Sequence, residues 1–272
     1  MQSVTPASET ENGFQSIRYF FNTIRERSPG LYYFGLVHLV ATVLLILVRP
    51  LFDFEVMGMH ALTKPTKFFI SSILVAWAMA YFIPLLKKPK VLKRYTWTLV
   101  IVFGLENLYI VGQAFRGVRS HFNTIDWYGP MLFSLMGILI SIFTIHTLVI
   151  GIRFWRAKLP ELSPGLKAGI RWGVVLFSIF AFEGGVIGAN QGHVVGGPEV
   201  TEGLPFLGWK FYHGDLRIAH FFGMHAMQVL PLIGAWFLAK KAWAVHLLAV
   251  LYGALAVGIL YWALLGRGIL GW

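Results

Sequence analysis

HGDLRIAHFFGMHAMQVLP, residues 213–231, begins as a polar loop and becomes an apolar helix that still carries polar side chains. At roughly 100° per residue, Arg217, His220, His225 and Gln228 fall within an arc of about 140°. Ionisable groups inside a membrane span are costly and usually face a bundle interior or a water-filled cavity. The stretch therefore predicts a membrane helix with one polar face, and that face predicts the wall of a buried site.

The composition of the whole chain is that of an integral membrane protein. Of its 272 residues, 57% are hydrophobic and 13% are charged, with a mean hydropathy of +0.67, whereas soluble domains are about one quarter charged. It contains no cysteine, which excludes disulfides, thiolate metal sites and cysteine nucleophiles. The net charge of +11 comes from short basic loops between apolar segments, a pattern that indicates membrane topology and no nucleic-acid partner.

Seven apolar segments are each close to the ~20 residues that cross ~30 Å of hydrocarbon. They predict an all-α bundle of seven transmembrane helices, at residues 31–48, 68–86, 96–115, 130–152, 172–189, 216–239 and 242–265. Glycines at four-residue spacing, Gly165, Gly169 and Gly173, indicate close packing of helices.

The first 30 residues are predicted to form a separate region on the cytoplasmic side, before a transmembrane domain of residues 31–272. Residues 1–13 are a polar tail. An apolar stripe follows, formed by Phe14, Ile17, Phe21 and Ile24. A stripe of this kind predicts an amphipathic helix on the membrane surface.

Basic residues predict the orientation of the chain. Most of the 23 lysines and arginines lie in the N-terminal region and in the loops after spans two, four and six. Because basic loops stay in the cytoplasm, we expect the N-terminus inside and the C-terminus outside, in a bacterial inner membrane.

The opposite loops are rich in functional groups, as expected for loops that bind a ligand. They contain Arg116, His121, His193, Asp215 and, at the start of the sixth span, Arg217. We expect these side chains, together with Gln228, to line the mouth of the site and to bind a cofactor or an anionic or polar group.

Two carboxyl groups lie inside the spans. With a rise of 1.5 Å per residue, Glu106 lies about 15 Å, Glu183 about 10 Å and His225 about 13 Å below the outer ends of their helices. Similar depth predicts that they share one hollow. We predict Glu106 and Glu183 as catalytic or proton-handling groups, and His220 and His225 as metal ligands.

Two carboxylates with imidazoles and no thiolate suit a transition metal ion held by nitrogen and oxygen. The first hypothesis is therefore a metal-dependent membrane enzyme or redox protein, acting on a lipid, a quinone or a small polar substrate. A b-type haem is the alternative, with basic residues neutralising its propionates. His38, His146 and His246, near the cytoplasmic side, would then hold a second haem.

A non-catalytic alternative also remains open. Intramembrane carboxylates beside His and Arg are typical of proton or ion pathways, so a proton-coupled transporter is the third hypothesis. A retinal photoreceptor is disfavoured, because the seventh span contains no lysine for a Schiff base.

Overall fold

Seven long helices follow a short one in the computed structural model, which describes residues 17–271. The helices are α1 (Ile17–Arg27), α2 (Pro29–Val48), α3 (Thr63–Phe82), α4 (Pro89–Phe115), α5 (Gly129–Arg156), α6 (Pro164–Ala189), α7 (Leu216–Trp236) and α8 (Ala242–Leu264). Helices α2 to α8 are each long and apolar enough to cross a membrane. The prediction of an all-α bundle with seven spans is confirmed. The predicted polar tail, residues 1–13, and Phe14 lie outside the described residues.

Three helices begin earlier than the apolar segments in the sequence. Helix α3 starts at Thr63, α4 at Pro89 and α6 at Pro164. Their first turns are polar and basic, so hydropathy alone misses them, whereas proline near the start of a helix is tolerated because the first N–H groups need no helical partner. Lys64 and Lys67 consequently belong to the first two turns of α3 and not to a loop.

Two short antiparallel hairpins lie in the connections at one end of the bundle. Strands β1 (Glu55–Val56) and β2 (Met59–His60) pair between α2 and α3, and β3 (Val194–Val195) pairs with β4 (Gly214–Asp215) between α6 and α7. We call this end, formed by residues 52–62, 116–128, 190–215 and 265–271, the site end. The opposite end, with α1 and the connections α3–α4, α5–α6 and α7–α8, is the basic end.

The helices pack as a closed group with two outer members. Helices α3, α4, α5, α6 and α7 each contact the next, and α7 also contacts α3. Helix α2 packs against α3 from outside, and α8 packs against α6 and α7. Apolar side chains such as Leu44 on α2, Ile138 on α5 and Leu251 on α8 are exposed on the outside of the bundle. An apolar surface of this size needs a lipid bilayer.

Helix α1 packs against α2 and α3 through its apolar stripe. Ile24 is fully buried, and the ring of Phe21 lies 4.9 Å from that of Trp77. Ile17, on the same helix, is 76% exposed. Its position on a membrane surface, and the division of the chain at residue 30, stay predictions.

Helices α6 and α7 make the closest contact in the bundle, through the predicted glycine spacing. A Cβ added at Gly169 would lie 2.7 Å from Pro231 Cα, and one added at Gly173 would lie 2.8 Å from the Ala226 carbonyl oxygen. Gly165 meets the backbone of Leu238 in the same way. Without side chains at these positions the two backbones touch, as small residues permit in lipid. This contact sets the distance between the side chains that α6 and α7 direct toward each other.

We predict that Gly169→Ala destabilises the protein by about 1–3 kcal/mol, because the added methyl group overlaps fixed backbone. The matched control is Gly104→Ala on α4, where an added Cβ meets nothing within 4 Å. It should be neutral or slightly stabilising, since alanine favours a helix interior. Unfolding of the purified variants in detergent measures both; equal losses would contradict the close packing of α6 on α7.

Candidate functional site

Asp215 organises the start of α7. Its side chain is 1% exposed and caps the helix by accepting the Arg217 backbone N–H at 3.1 Å. It also accepts the Lys210 backbone N–H at 3.1 Å and the Arg217 guanidinium at 2.9 Å and 2.5 Å. The carboxylate thus joins the α6–α7 connection to the helix that follows it.

Two cations, one on α3 and one on α7, bind carbonyl oxygens of a tight turn formed by residues 204–209. The turn closes through Leu204 N–H to Trp209 O, at 2.8 Å. Lys67 Nζ donates to Leu207 O at 3.1 Å, and Arg217 Nη2 donates to Gly208 O at 2.6 Å. Gly208 has a φ of +70°, which glycine adopts without a steric cost.

An imidazole and a carboxylate meet between α6 and α7. His220 Nδ1 lies 3.1 Å from Glu183 Oε2, and the side chain of Glu183 is 5% exposed. An ionised carboxylate only accepts, so with this acceptor a neutral ring donates through Nδ1–H and keeps a lone pair on Nε2. The second Glu183 oxygen, Oε1, is buried without a hydrogen bond in the described part of the chain. A Cβ at Gly184 would lie 3.0 Å from His220 Cε1, so this glycine gives the ring its place.

Glu106 lies elsewhere, with Lys64 as its electrostatic neighbour. Its carboxyl group is on α4 and 8% exposed. Lys64, on α3, interacts electrostatically with it but forms no ion pair, and its Nζ lies 5.8 Å from the centre of the Phe68 ring. Within residues 17–271 neither side chain makes a hydrogen bond.

His225 lies deeper on α7 and is joined to α3. Its Nδ1–H donates to Gln228 Oε1 at 3.3 Å, and Gln228 Nε2 donates to Leu74 O at 3.4 Å. The His225 ring packs against Phe221 with a centre distance of 4.1 Å. Its Nε2, like that of His220, has no hydrogen bond in the described chain.

Arg116 is held away from these side chains. Its guanidinium donates to Gln113 Oε1 at 2.6 Å and to Asp126 at 2.9 Å, and 44% of its side chain is exposed. The hydrogen bond with Asp126 raises the pKa of Arg116, despite some desolvation, and lowers the pKa of Asp126. This predicted mouth residue is therefore part of a surface ion pair.

His193 and Glu199 form a second imidazole–carboxylate pair in the α6–α7 connection. His193 Nδ1 pairs with the Glu199 carboxylate, which also accepts the backbone N–H groups of His193 and Val194. Burial acts to raise the pKa of Glu199, but these hydrogen bonds outweigh it and lower the pKa to about 2. Burial lowers the pKa of His193, and the hydrogen bond with Glu199 offsets only part of this.

His121 is enclosed by aromatic rings in the α4–α5 connection. Phe68 and Phe133 lie 5.9 Å and 5.5 Å from it between ring centres, and Ser120 Oγ is 3.2 Å from its Nδ1. Burial first, and then the charges of Lys64 and His193, lower the pKa of His121 well below its ordinary value. The imidazole is consequently neutral at neutral pH.

The three histidines toward the basic end each have a local partner. His38 donates to Phe34 O at 2.8 Å, and His146 Nδ1 lies 3.0 Å from Thr98 Oγ1. His246 Nδ1 accepts from Trp172 Nε1 at 2.8 Å. Their role in a second haem site stays a prediction.

The acids of α4 and α6 thus have different neighbours. The structure places Glu183 beside His220, whereas depth along the helices had grouped it with His225. No hydrogen bond or ion pair in the described chain joins Glu106, Glu183 and His225. Among residues 17–271 no group of three or more His, Asp or Glu side chains is placed to hold a metal ion. The grouping of Lys64 with Glu106 was not predicted from the sequence. The signal that could have indicated it is the two lysines, three residues apart, that precede an apolar segment.

Comparison with known proteins does not identify a family. A scan against protein-family models and searches of curated proteins and of solved structures found no match to this chain.

We predict that Asp215→Asn destabilises the protein by about 3–5 kcal/mol, because it leaves the largely buried Arg217 guanidinium without its counter-charge. The control is Asp126→Asn, which breaks the surface pair with Arg116 and should cost much less, since solvent screens exposed pairs. Thermal unfolding in detergent compares the two; similar losses would show that Asp215 does not hold the α6–α7 connection.

Acidification should destabilise the site end in two stages. The pKa values of His121 and His193 are lower in the folded protein than their ordinary value of 6.5. The unfolded chain therefore binds protons more readily, and the free energy of unfolding decreases as the pH falls below 6.5. Glu199 lowers the free energy of unfolding further as the pH falls below 4.5, its ordinary pKa, toward about 2, its pKa in the folded protein. Unfolding temperatures measured against pH should fall more slowly just below pH 6.5 in the double variant His121→Gln, His193→Gln. An unchanged slope would contradict this assignment.

Proposed function

We propose that the protein is a membrane enzyme in which His220, held by Glu183, acts as a general base or acid at the site end. The observation that carries the proposal is the 3.1 Å hydrogen bond between His220 Nδ1 and Glu183 Oε2, with Nε2 left unengaged. A carboxylate that fixes the tautomer and stabilises the imidazolium is the arrangement that prepares histidine for proton transfer.

The surroundings of the pair support this role. The His220 side chain is 26% exposed whereas that of Glu183 is 5% exposed, so a substrate can approach the imidazole but not the carboxylate that orients it. Nε2 would take a proton from a substrate hydroxyl or from water, and Glu183 would stabilise the charge formed. Gln228 and His225 lie further along α7 and are proposed to line the inner wall, with a lipid, a quinone or a small polar molecule as substrate.

We also propose that the site opens to the outside of the cell. The basic end carries Lys87, Lys88 and Lys240 with other cations, and basic loops remain in the cytoplasm. The N-terminus is then inside and the C-terminus outside, and a bacterial inner membrane is the proposed location.

A metal or haem form of the same site is the second candidate. A histidine that ligates a metal usually donates its other N–H to a carboxylate or carbonyl, which is the orientation of His220. Arg217, Lys67 and Lys64 would supply cations for haem propionates. The protein would then be a redox protein, with His220 and His225 as the candidate ligands and the remaining positions open to water or substrate.

We predict that His220→Asn and Glu183→Gln abolish turnover, by a factor of at least ~10². Asparagine keeps an N–H for Glu183 but lacks Nε2, so the fold should be retained. His246→Asn at the basic end is the control and should be fully active. The assay uses purified protein in vesicles of lipid extract from its native membrane, with lipid and quinone species followed by mass spectrometry.

Three results would change the proposal. Equal turnover in His220→Asn and the wild type would reject the acid–base role. A Soret band, or stoichiometric metal that is lost in His220→Ala, would establish the second candidate. Proton movement detected by a pH-sensitive dye inside the vesicles, without chemical conversion, would make the protein a proton-coupled transporter instead.

A further inference from the structure

Positive charge accumulates around Lys64 at the site end. Lys64 Nζ lies 5.8 Å from the centre of the Phe68 ring, and that ring lies 5.9 Å from the ring of His121, two residues after Arg119. Lys64 also interacts electrostatically with Lys67, Arg119 and Arg217, and with a single acid, Glu106. It lies in the first turn of α3, where the helix dipole adds further positive potential. Like charges in a desolvated position repel each other strongly unless an anion joins them.

The four cations differ in what they already bind. Lys67 and Arg217 donate to carbonyl oxygens of the 204–209 turn, and Arg217 is also paired with Asp215. Within residues 17–271, Lys64 and Arg119 donate no hydrogen bond and form no ion pair. Arg119 is partly exposed, so a ligand can reach its five N–H donors. Two cations are consequently available to a ligand.

The charge balance indicates the class of ligand. Lys64 and Lys67 interact electrostatically with two further cations, Arg119 and Arg217, and with two carboxyl groups, those of Glu106 and Asp215, so cations outnumber acids around them. A phosphate monoester carries about −1.5 to −2 at neutral pH and offers three acceptor oxygens. Arginine binds such a group through two parallel N–H bonds, and lysine binds it as a point charge.

We propose that Lys64 and Arg119 bind the phosphate group of a phosphorylated substrate, with His121 beside it. This inference rests on the proposed function and names the substrate class of the same site. Arg217, which lies near Lys64, is three residues from His220 and on the same side of α7. A phosphate held by Lys64 and Arg119 therefore directs the rest of its molecule toward the imidazole, one turn deeper.

The test is equilibrium binding of two radiolabelled probes to the full chain purified in detergent. One probe is inorganic phosphate and the other is short-chain phosphatidic acid, a lipid with a phosphate monoester. Lys64→Gln and Arg119→Gln should each weaken binding about ten- to a hundred-fold, as expected for the loss of a charged hydrogen-bond donor. Lys64→Arg, which keeps the charge, should bind nearly as the wild type does.

Arg267→Gln is the matched control. Arg267 is also at the site end, but its guanidinium lies 4.7 Å from the centre of the Trp262 ring and is not among the charges that interact with Lys64. The variant loses the same charge, so it should bind both probes as the wild type does. Thermal unfolding confirms that each variant is folded before it is compared.

The outcomes distinguish the source of the phosphate and the fate of each proposal. Binding of phosphatidic acid that inorganic phosphate does not displace supports a lipid substrate, and binding of inorganic phosphate alone supports a soluble phosphorylated one. Absence of binding by both probes, or equal weakening by Arg267→Gln, overturns the inference.

The same measurements separate this inference from the acid–base proposal. Wild-type binding in His220→Asn, with loss of turnover, supports both. Turnover that depends on His220 but not on Lys64 or Arg119 rejects the phosphate site and leaves the proposed function intact. Binding that depends on Lys64 and Arg119, in a protein for which no turnover is found, leaves the phosphate site and rejects the enzyme.

Discussion

Backbone contact between α6 and α7 determines what the site can contain. Gly165, Gly169 and Gly173 bring the two helices so close that a methyl group does not fit between them. At that separation Glu183 reaches His220, and Gly184 leaves room for the ring. In a bilayer, a buried carboxylate without such a donor would be very costly. The glycine contact between α6 and α7 is therefore what allows the hydrogen bond between Glu183 and His220.

Charge is distributed unevenly between the two centres of the site end. In the Glu183–His220 pair one hydrogen bond joins the two groups, whereas Glu183 Oε1 and His220 Nε2 have no partner in the described chain. Around Lys64 the cations outnumber the acids, and two of the cations have no acceptor in the described chain. The first centre resembles a prepared proton carrier and the second an incomplete ion pair. A phosphorylated molecule that reaches from one to the other would complete both.

The fold was largely predictable from the sequence, because ~20-residue apolar segments and basic loops are strong signals in a membrane protein. The helix starts were not, since the polar first turns of α3, α4 and α6 resemble loops in hydropathy. Depth along a helix grouped Glu183 with Glu106 and His225, whereas the hydrogen bond of Glu183 is with His220. Depth did not select His220 over His225, because the choice depends on how α6 and α7 are rotated about their axes relative to each other. The position of a residue along its helix does not determine that rotation.

Neighbours across tertiary contacts were equally hidden. Lys64 lies at the start of α3 and Glu106 lies in the second half of α4, and the antiparallel packing of these two helices brings their charges together. Arg116 and Asp126 form a pair because the α4–α5 connection folds back on itself. In both cases the side chains were identifiable as polar and functional, but their partners depend on tertiary structure.

Asp215 has a further consequence for how the site end comes apart. Its carboxylate accepts hydrogen bonds from the backbone N–H groups of Lys210 and Arg217 and from the Arg217 guanidinium. The same guanidinium donates to Gly208 O in the 204–209 turn. Opening the connection thus removes the cap of α7, and fraying α7 releases the connection. We therefore expect residues 204–217 to open together as one unit, because these hydrogen bonds share one carboxylate and one guanidinium.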